Sequence, residues 1–248
     1  VVVADIDMAG AEETAQQVVR AGGHAEALRC DVSKADEVET LARFAEERFG
    51  GTDLLINNAG VAVAGATGEV PLREWEWVVG INLWGVIHGC HSFAPRFRAQ
   101  RSGHILNVAS AAGFMSGTGL APYNATKAAV ISISETMFGE LRPFDVGVTV
   151  LCPTFFRTNL DAGSRSFGGE PAFAKLATKA MDKSKLQAHD VARTALTSCD
   201  RGQLYCVPMS DGKWAWRLKR WAPESFFTLL PSAFKTISRL RLPGSGRG

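Results

Sequence analysis

Within residues 110–127, SAAGFMSGTGLAPYNATK, Ser110 is followed thirteen positions later by Tyr123 and four positions after that by Lys127. Residues four apart share one face of a helix, so a helix here brings an ammonium close to a phenol. A nearby positive charge lowers the pKa of a phenol, and a phenol so tuned exchanges protons near neutral pH. Ser110 closes the apolar run GHILNVAS, which reads as a strand. A strand-end hydroxyl facing a helix with Tyr and Lys suits proton transfer at the oxygen of an alcohol or ketone.

The elements that must hold these groups are legible on either side. Val1 to Asp5 (VVVAD) is a β-branched run ending in an acid, the pattern of a buried parallel strand. A helix is expected over Ala11 to Arg20 and a strand over His24 to Cys30. Asp31, Val32 and Ser33 follow, with Ser33 the expected N-cap of a helix reaching Phe49. A strand over Asp53 to Asn57 runs into the turn at residues 57–60, and a long helical region covers Leu72 to Arg98. Then come a strand at Gly103 to Ala109, a helix at Pro122 to Leu141 and a strand at Val146 to Leu151. A polar, Gly-containing flap with short helices is expected from Leu160 to Lys185, then a helix at Ala188 to Ser198 and a strand at Gln203 to Val207. This alternation predicts an α/β fold, a doubly wound parallel sheet in three α/β/α layers. Ligands of such sheets bind at the carboxyl ends of the strands. Asp5, Asp31, residues 57–60, Ser110 and residues 153–158 are therefore expected along one rim.

With 248 residues, 46% of them hydrophobic and 21% charged, the chain suits one domain with a full core. No apolar run is long enough to span a membrane, and no secretory pattern is present. Cys30, Cys90, Cys152, Cys199 and Cys206 form no C-x-x-C pair, so reduced thiols in or near the core and a cytoplasmic setting are expected. The histidines show no ligand constellation, and no metal is assigned. The net charge of +2 hides an asymmetry: residues 213–248 carry eight Lys or Arg against Glu224, net +7, which leaves −5 for the rest.

In its motifs the sequence resembles the short-chain dehydrogenase/reductase family, from Val1 to about Gly212. The NNAG of residues 57–60, the Asn of INLWG at position 82, Ser110, Tyr123-x-x-x-Lys127 and the segment from Pro153 to Thr158 occur in the family's order. The resemblance implies a Rossmann-like domain over residues 1–212 and hydride transfer between a nicotinamide and a substrate carbon. It implies Tyr123 as general acid/base and Lys127 as the group that lowers the tyrosine's pKa and holds the nicotinamide ribose. Ser110 would bond the substrate oxygen, and Asn82 would anchor a water in a proton relay. It also implies a homodimer or homotetramer. On the cofactor side, Asp5 would accept from the adenosine ribose and repel a 2′-phosphate, favouring NAD over NADP. Asp7 is expected in the loop that follows. Asp31 and Val32 would flank the adenine, and Asn57, Ala59 and Gly60 would form the turn beneath the adenosine and ribose. Pro153, Phe156 and Thr158 would border the nicotinamide, Phe156 through its backbone and Thr158 at the carboxamide.

Two departures from the family pattern carry expectations of their own. The glycine-rich phosphate loop, due about 20 residues before the ribose carboxylate, is not in this sequence, in which that carboxylate is Asp5. The chain reads as one lacking the family's first strand and that loop, and is expected to fold poorly and bind NAD weakly. Tight NADH binding in a fluorescence titration would contradict this. Thr154, in turn, stands where the family usually has Gly after the proline.

Phe114, Met115, Phe155 and Phe156 read either as lining of the substrate mouth or as ordinary core residues, with Arg157 the only candidate for holding an anionic group; on the first reading a lipophilic alcohol or ketone is the expected substrate. In residues 213–248, Trp214, Leu218 and Trp221 fall at helical spacing among Arg217, Lys219 and Arg220. Pro223 would open a second helix with Phe226, Phe227, Leu229 and Leu230. Pro231 would interrupt it before Phe234, Ile237 and Leu240. Such a basic amphipathic extension suits peripheral contact with a membrane surface, or packing on a partner subunit or the enzyme's own flank. Nucleic acid is not expected, because the basic charge lies in an apolar-rich tail. A second class of function, a non-catalytic Rossmann-like scaffold acting through this tail, is disfavoured by the complete Asn82, Ser110, Tyr123 and Lys127 set.

Overall fold

A computed structural model of the chain describes residues 1–158, 160, 163–167, 181 and 184–228. Chain order gives β1 (Val2–Asp5), α1 (Met8–Arg20), β2 (Glu26–Arg29), α2 (Ala35–Phe49), β3 (Leu54–Asn57) and β4 (Val63–Ala64). Next are α3 (Leu72–Val79), a π-helical turn (Gly80–Trp84), α4 (Gly85–Gln100), β5 (His104–Val108), α5 (Ala112–Met115) and α6 (Ala121–Leu141). The remainder is β6 (Gly147–Leu151), β7 (Arg165–Ser166), α7 (Ala188–Asp200), β8 (Tyr205–Cys206) and α8 (Ser210–Trp221). Residues 223–228 are also helical, so Pro223 opens a helix as its fixed φ favours. Leu229, Leu230, Pro231, Phe234, Ile237 and Leu240 lie outside the described residues, as does most of the expected flap.

Every ladder among the described residues is parallel. β3, β5, β6 and β8 form one sheet in that order, β1 pairs with β2, and β4 with β7. The register aligns Asn57 with Asn107 and Val108 with Leu151, so the loops holding Gly60, Ser110 and Pro153 leave the sheet at one rim. Alternation along the strands sends side chains to two faces. Ile105, Val148 and Val150 meet Val86, Phe93, Phe97, Val130 and Leu141 from α4 and α6. Leu106 and Leu151 meet Val191 and Ala195 of α7 on the other face. Phe97 and Leu141 are fully buried, each worth about 1.5–3 kcal/mol of apolar burial.

The structure differs from the sequence reading in three places. Ser33 is not the cap of α2: Lys34 occupies that position without a side-chain bond. The Ser33 hydroxyl instead donates to Asp31 Oδ1 at 2.7 Å. The helical region from Leu72 runs unbroken to Gln100 but widens into a π turn, where the Gly85 N–H reaches back five residues to the Gly80 carbonyl. The pairing of Val63–Ala64 with Arg165–Ser166 was not legible from two-residue strands. It is fixed by Arg165, whose guanidinium lies 2.8 Å from the buried Glu74 and 3.7 Å over the Trp77 ring.

Gly89 of α4 lies against the Asn57 amide, with a Cβ at this position falling 2.9 Å from Asn57 Cγ. Alanine is the better helix former by about 1 kcal/mol. Gly89→Ala would nevertheless push Asn57 off its 2.8 Å bond to the buried Asn107. Overpacking and a broken buried bond outweigh the propensity gain, so a net loss of about 1–3 kcal/mol is expected in a urea melt.

Candidate active site

Ser110 follows β5, and its Oγ is steadied by the Ala112 N–H at 3.1 Å. The Ala111 N–H donates to the Pro153 carbonyl at 2.9 Å, tying the loops after β5 and β6 together. The short helix α5 then lies directly on α6. Gly113 makes this contact, since a Cβ there would be 2.7 Å from the Lys127 carbonyl oxygen. Pro122 stands in the first turn of α6, where its fixed φ suits the helix start, and places Tyr123 and Lys127 one turn apart.

Lys127 is 3% exposed, and its Nζ donates to the Val108 carbonyl at 2.8 Å. Burial pulls its pKa down to about 8 from an ordinary 10.5. Tyr123 moves the other way: burial raises its phenol above the usual 10, and a hydrogen bond with Ser110 draws it partly back. The lowering expected from Lys127 is therefore not what this chain shows. The ammonium lies 5.7 Å from the centre of the Tyr123 ring and is turned to Val108, and dehydration of the phenolate dominates.

Asn82, fully buried, clamps the loop after β3. Its Oδ1 accepts from the Val61 N–H at 2.8 Å, and its Nδ2 donates to the Val61 carbonyl at 2.9 Å and to Thr126 Oγ1 at 3.3 Å. The clamp brings Gly60 against both groups: a Cβ on Gly60 would sit 3.5 Å from Asn82 Oδ1 and 3.6 Å from Lys127 Nζ. The site thus gathers Gly60, Asn82, Ser110, Tyr123 and Lys127. Sequence reasoning missed Val61, Thr126 and the Val108 carbonyl. Thr126 lies inside the Tyr123–Lys127 turn and is 1% exposed.

The other expected residues are dispersed along the rim. Asp5 is exposed at the end of β1, where its carboxylate accepts from the Asp7 N–H at 2.9 Å. Asp7 caps α1. Asp31 accepts from Ser33, which lowers its pKa, and the Val32 side chain packs on Gly85. Asn57 turns its amide inward to Asn107, and Ala59 is exposed beside it. Pro153 is buried, and Thr158 Oγ1 accepts from the Leu160 N–H at 3.2 Å.

Of the aromatics read as mouth or core residues, Phe114 and Phe156 make core contacts. Phe114 is 9% exposed within the main core, and Phe156 packs with the cluster under α7. Thr154 has a specific partner: its hydroxyl donates to Asp211 Oδ1 at 3.0 Å, at the first turn of α8. Residue 212 accordingly falls inside a helix, and the described part of the tail packs on the body. Gly212 and Ala215 are buried, and Trp216 lies 5.0 Å from Tyr205 and 6.4 Å from Phe114 between ring centres. Trp214 and Trp221, expected on the apolar stripe, point outward.

The short chain dehydrogenase family profile matches residues 1–167, and the chain belongs to that family. It is 36% identical over 163 residues to the probable oxidoreductase EphD of Mycobacterium tuberculosis, covering 65% of this chain and 28% of EphD. It is 35% identical over 161 residues to the CLA biosynthesis dehydrogenase/reductase of Lactiplantibacillus plantarum, covering 64% of this chain and 56% of that protein. The chain therefore spans little more than half, or less, of these relatives. A crystal structure of a short chain dehydrogenase/reductase from Burkholderia phymatum in complex with NAD superposes with a TM-score of 0.82 at 31% identity, covering 100% of this chain and 88% of that one. A gluconate 5-dehydrogenase from Burkholderia cenocepacia J2315, in complex with NADP and tartrate, gives 0.61 at 27% identity, covering 64% of this chain and 63% of that one. Among the described residues no helix is long and apolar enough to cross a membrane.

Proposed function

We propose that this chain is the body of an oxidoreductase that moves a hydride between NAD(H) and a lipophilic secondary alcohol or ketone. The observation that carries this reading is the buried ammonium of Lys127 beside Tyr123, facing the bare Cα of Gly60. One of its three donors goes to Val108, which leaves donors for ribose hydroxyls where a side chain at position 60 would intrude. When bound, the nicotinamide supplies or takes the hydride.

The chain's own groups manage the proton. Ser110, held by the Ala112 N–H, orients the substrate oxygen. Tyr123 gives it a proton in reduction and takes one in oxidation. A phenol raised above 10 is protonated at neutral pH, the state a donor needs. The reductive direction is thus supported at neutral pH, and the oxidative one gains as pH rises. The Asn82 amide is committed to Val61 and Thr126, so it holds the loop beside Gly60 and Lys127 in place. Asp5 supports NAD, since an exposed carboxylate repels a 2′-phosphate.

The test follows NADH or NADPH consumption against apolar ketones and small charged keto acids. Preference for NADH with apolar ketones is expected, and Asp5→Asn should narrow the gap between cofactors by about tenfold. A clear preference for charged hydroxy or keto acids sinks the lipophilic assignment, and preference for NADPH sinks the role of Asp5.

A further inference from the structure

We propose that the outward face of α8 docks on an anionic lipid surface. Trp214 and Trp221, 68% and 87% exposed, stand two turns apart. Arg217 lies between them, and Lys213 and Arg220 are exposed beside them. The helix cannot roll to hide this face, because its other side is fixed. Gly212 and Ala215 are buried, Trp216 is set against Tyr205 and Phe114, and Thr154 holds Asp211. Asp211 is the only acid of α8 against Lys213, Arg217, Lys219 and Arg220, so the helix carries net +3.

Charge and ring chemistry both select the occupant. Residues 213–228 carry Lys213, Arg217, Lys219 and Arg220 against Glu224, net +3, which directs attraction to anionic headgroups at this helix. An indole, apolar with a single N–H donor, suits the headgroup layer. Two tryptophans bury about 150–250 Å² each, far less than the roughly 1,200–2,000 Å² of a specific protein interface. An interfacial helix needs only to sink its apolar residues by about 5–10 Å. Phe227, 40% exposed in the helical residues 223–228, extends the apolar edge, with the Lys219 ammonium 5.1 Å from its ring centre. α8 thus has two faces, one packed on its own body and one turned to lipid.

Cosedimentation of the 248-residue chain with phosphatidylcholine vesicles, with and without phosphatidylglycerol, tests this. Binding is expected only with phosphatidylglycerol, weakened by salt, with a blue shift of tryptophan emission. The W214A/W221A double variant and, separately, Arg217→Glu should each bind about tenfold more weakly. Both leave residues 229–248 intact, and both change only exposed side chains, so their thermal melts should match the parent's. Three results would each overturn the proposal: no binding to the anionic vesicles, parent-like binding by both variants, or a parent dimer that W214A/W221A dissolves in ultracentrifugation.

Discussion

Tyr123→Phe should lower turnover by about 10²–10⁴-fold while leaving the fold intact, the range expected when a positioned proton donor is removed. The substitution deletes one hydroxyl. Its partner Ser110 keeps the bond from the Ala112 N–H, so the stability change should stay within about 1 kcal/mol. Parallel assays of turnover and thermal unfolding check both halves. Near-parent activity would remove Tyr123 from the chemistry, and a large drop in stability would give it a structural role instead. The raised phenol pKa adds a direction: in the parent, the ratio of alcohol oxidation to ketone reduction should climb with pH as phenolate becomes accessible.

Lys127→Met should abolish turnover and stabilise the chain at the same time. A buried lysine whose pKa falls from 10.5 to about 8 binds fewer protons folded than unfolded between those values. Stability therefore rises with pH through that window, and the penalty is fully present below about pH 8. At about 1.4 kcal/mol per tenfold change the penalty is about 3 kcal/mol. Methionine removes it but also breaks the bond to the Val108 carbonyl, which returns about 1–2 kcal/mol. A net gain of about 1–2 kcal/mol is expected at pH 7 in urea, closing and reversing toward pH 10.5. Equal stability differences at both pH values would show that the ammonium is not held at such a penalty.

The strand and helix alternation was legible because buried strands announce themselves as short β-branched runs, VVVAD and GHILNVAS among them. Family motifs placed Ser110, Tyr123 and Lys127, and the fold gathers these three with Gly60 and Asn82. What stayed hidden depended on partners distant in sequence. Nothing near Lys127 signals that its ammonium is taken by a carbonyl nineteen residues earlier. Nothing near Thr154 signals an aspartate fifty-seven residues later, though that bond gives the threonine a role where the family has glycine. The spacing of Trp214, Leu218 and Trp221 was a true helical stripe, but periodicity cannot say which stripe faces the body. Gly212 and Ala215 decide it, because small residues permit close packing. Helical spacing points to a lowered Tyr123 pKa, and the structure raises it, because spacing reports proximity and not dehydration.

Among the described residues the β1–β2 ladder makes no strand pairing with the four-stranded sheet, so the two are expected to open as separate units. α2 bridges them, with Ala42 buried in the main core and Leu41 packed against it, and polar side chains add further links. Arg29 with Glu37 and Arg48 with Glu26 join β2 to α2, Arg96 with Glu39 and Glu46 joins α2 to α4, and Val32 rests on Gly85. Exposed ion pairs are individually weak and screened by salt. Asp5 and Asp31 ride at the ends of the first unit's strands, while Ser110, Tyr123 and Lys127 belong to the second. Amide exchange is therefore expected to open β1 and β2 at lower free energy than β5 and β6. A dinucleotide reaching from one unit to the other would act as a fastener, lending its binding free energy to their union.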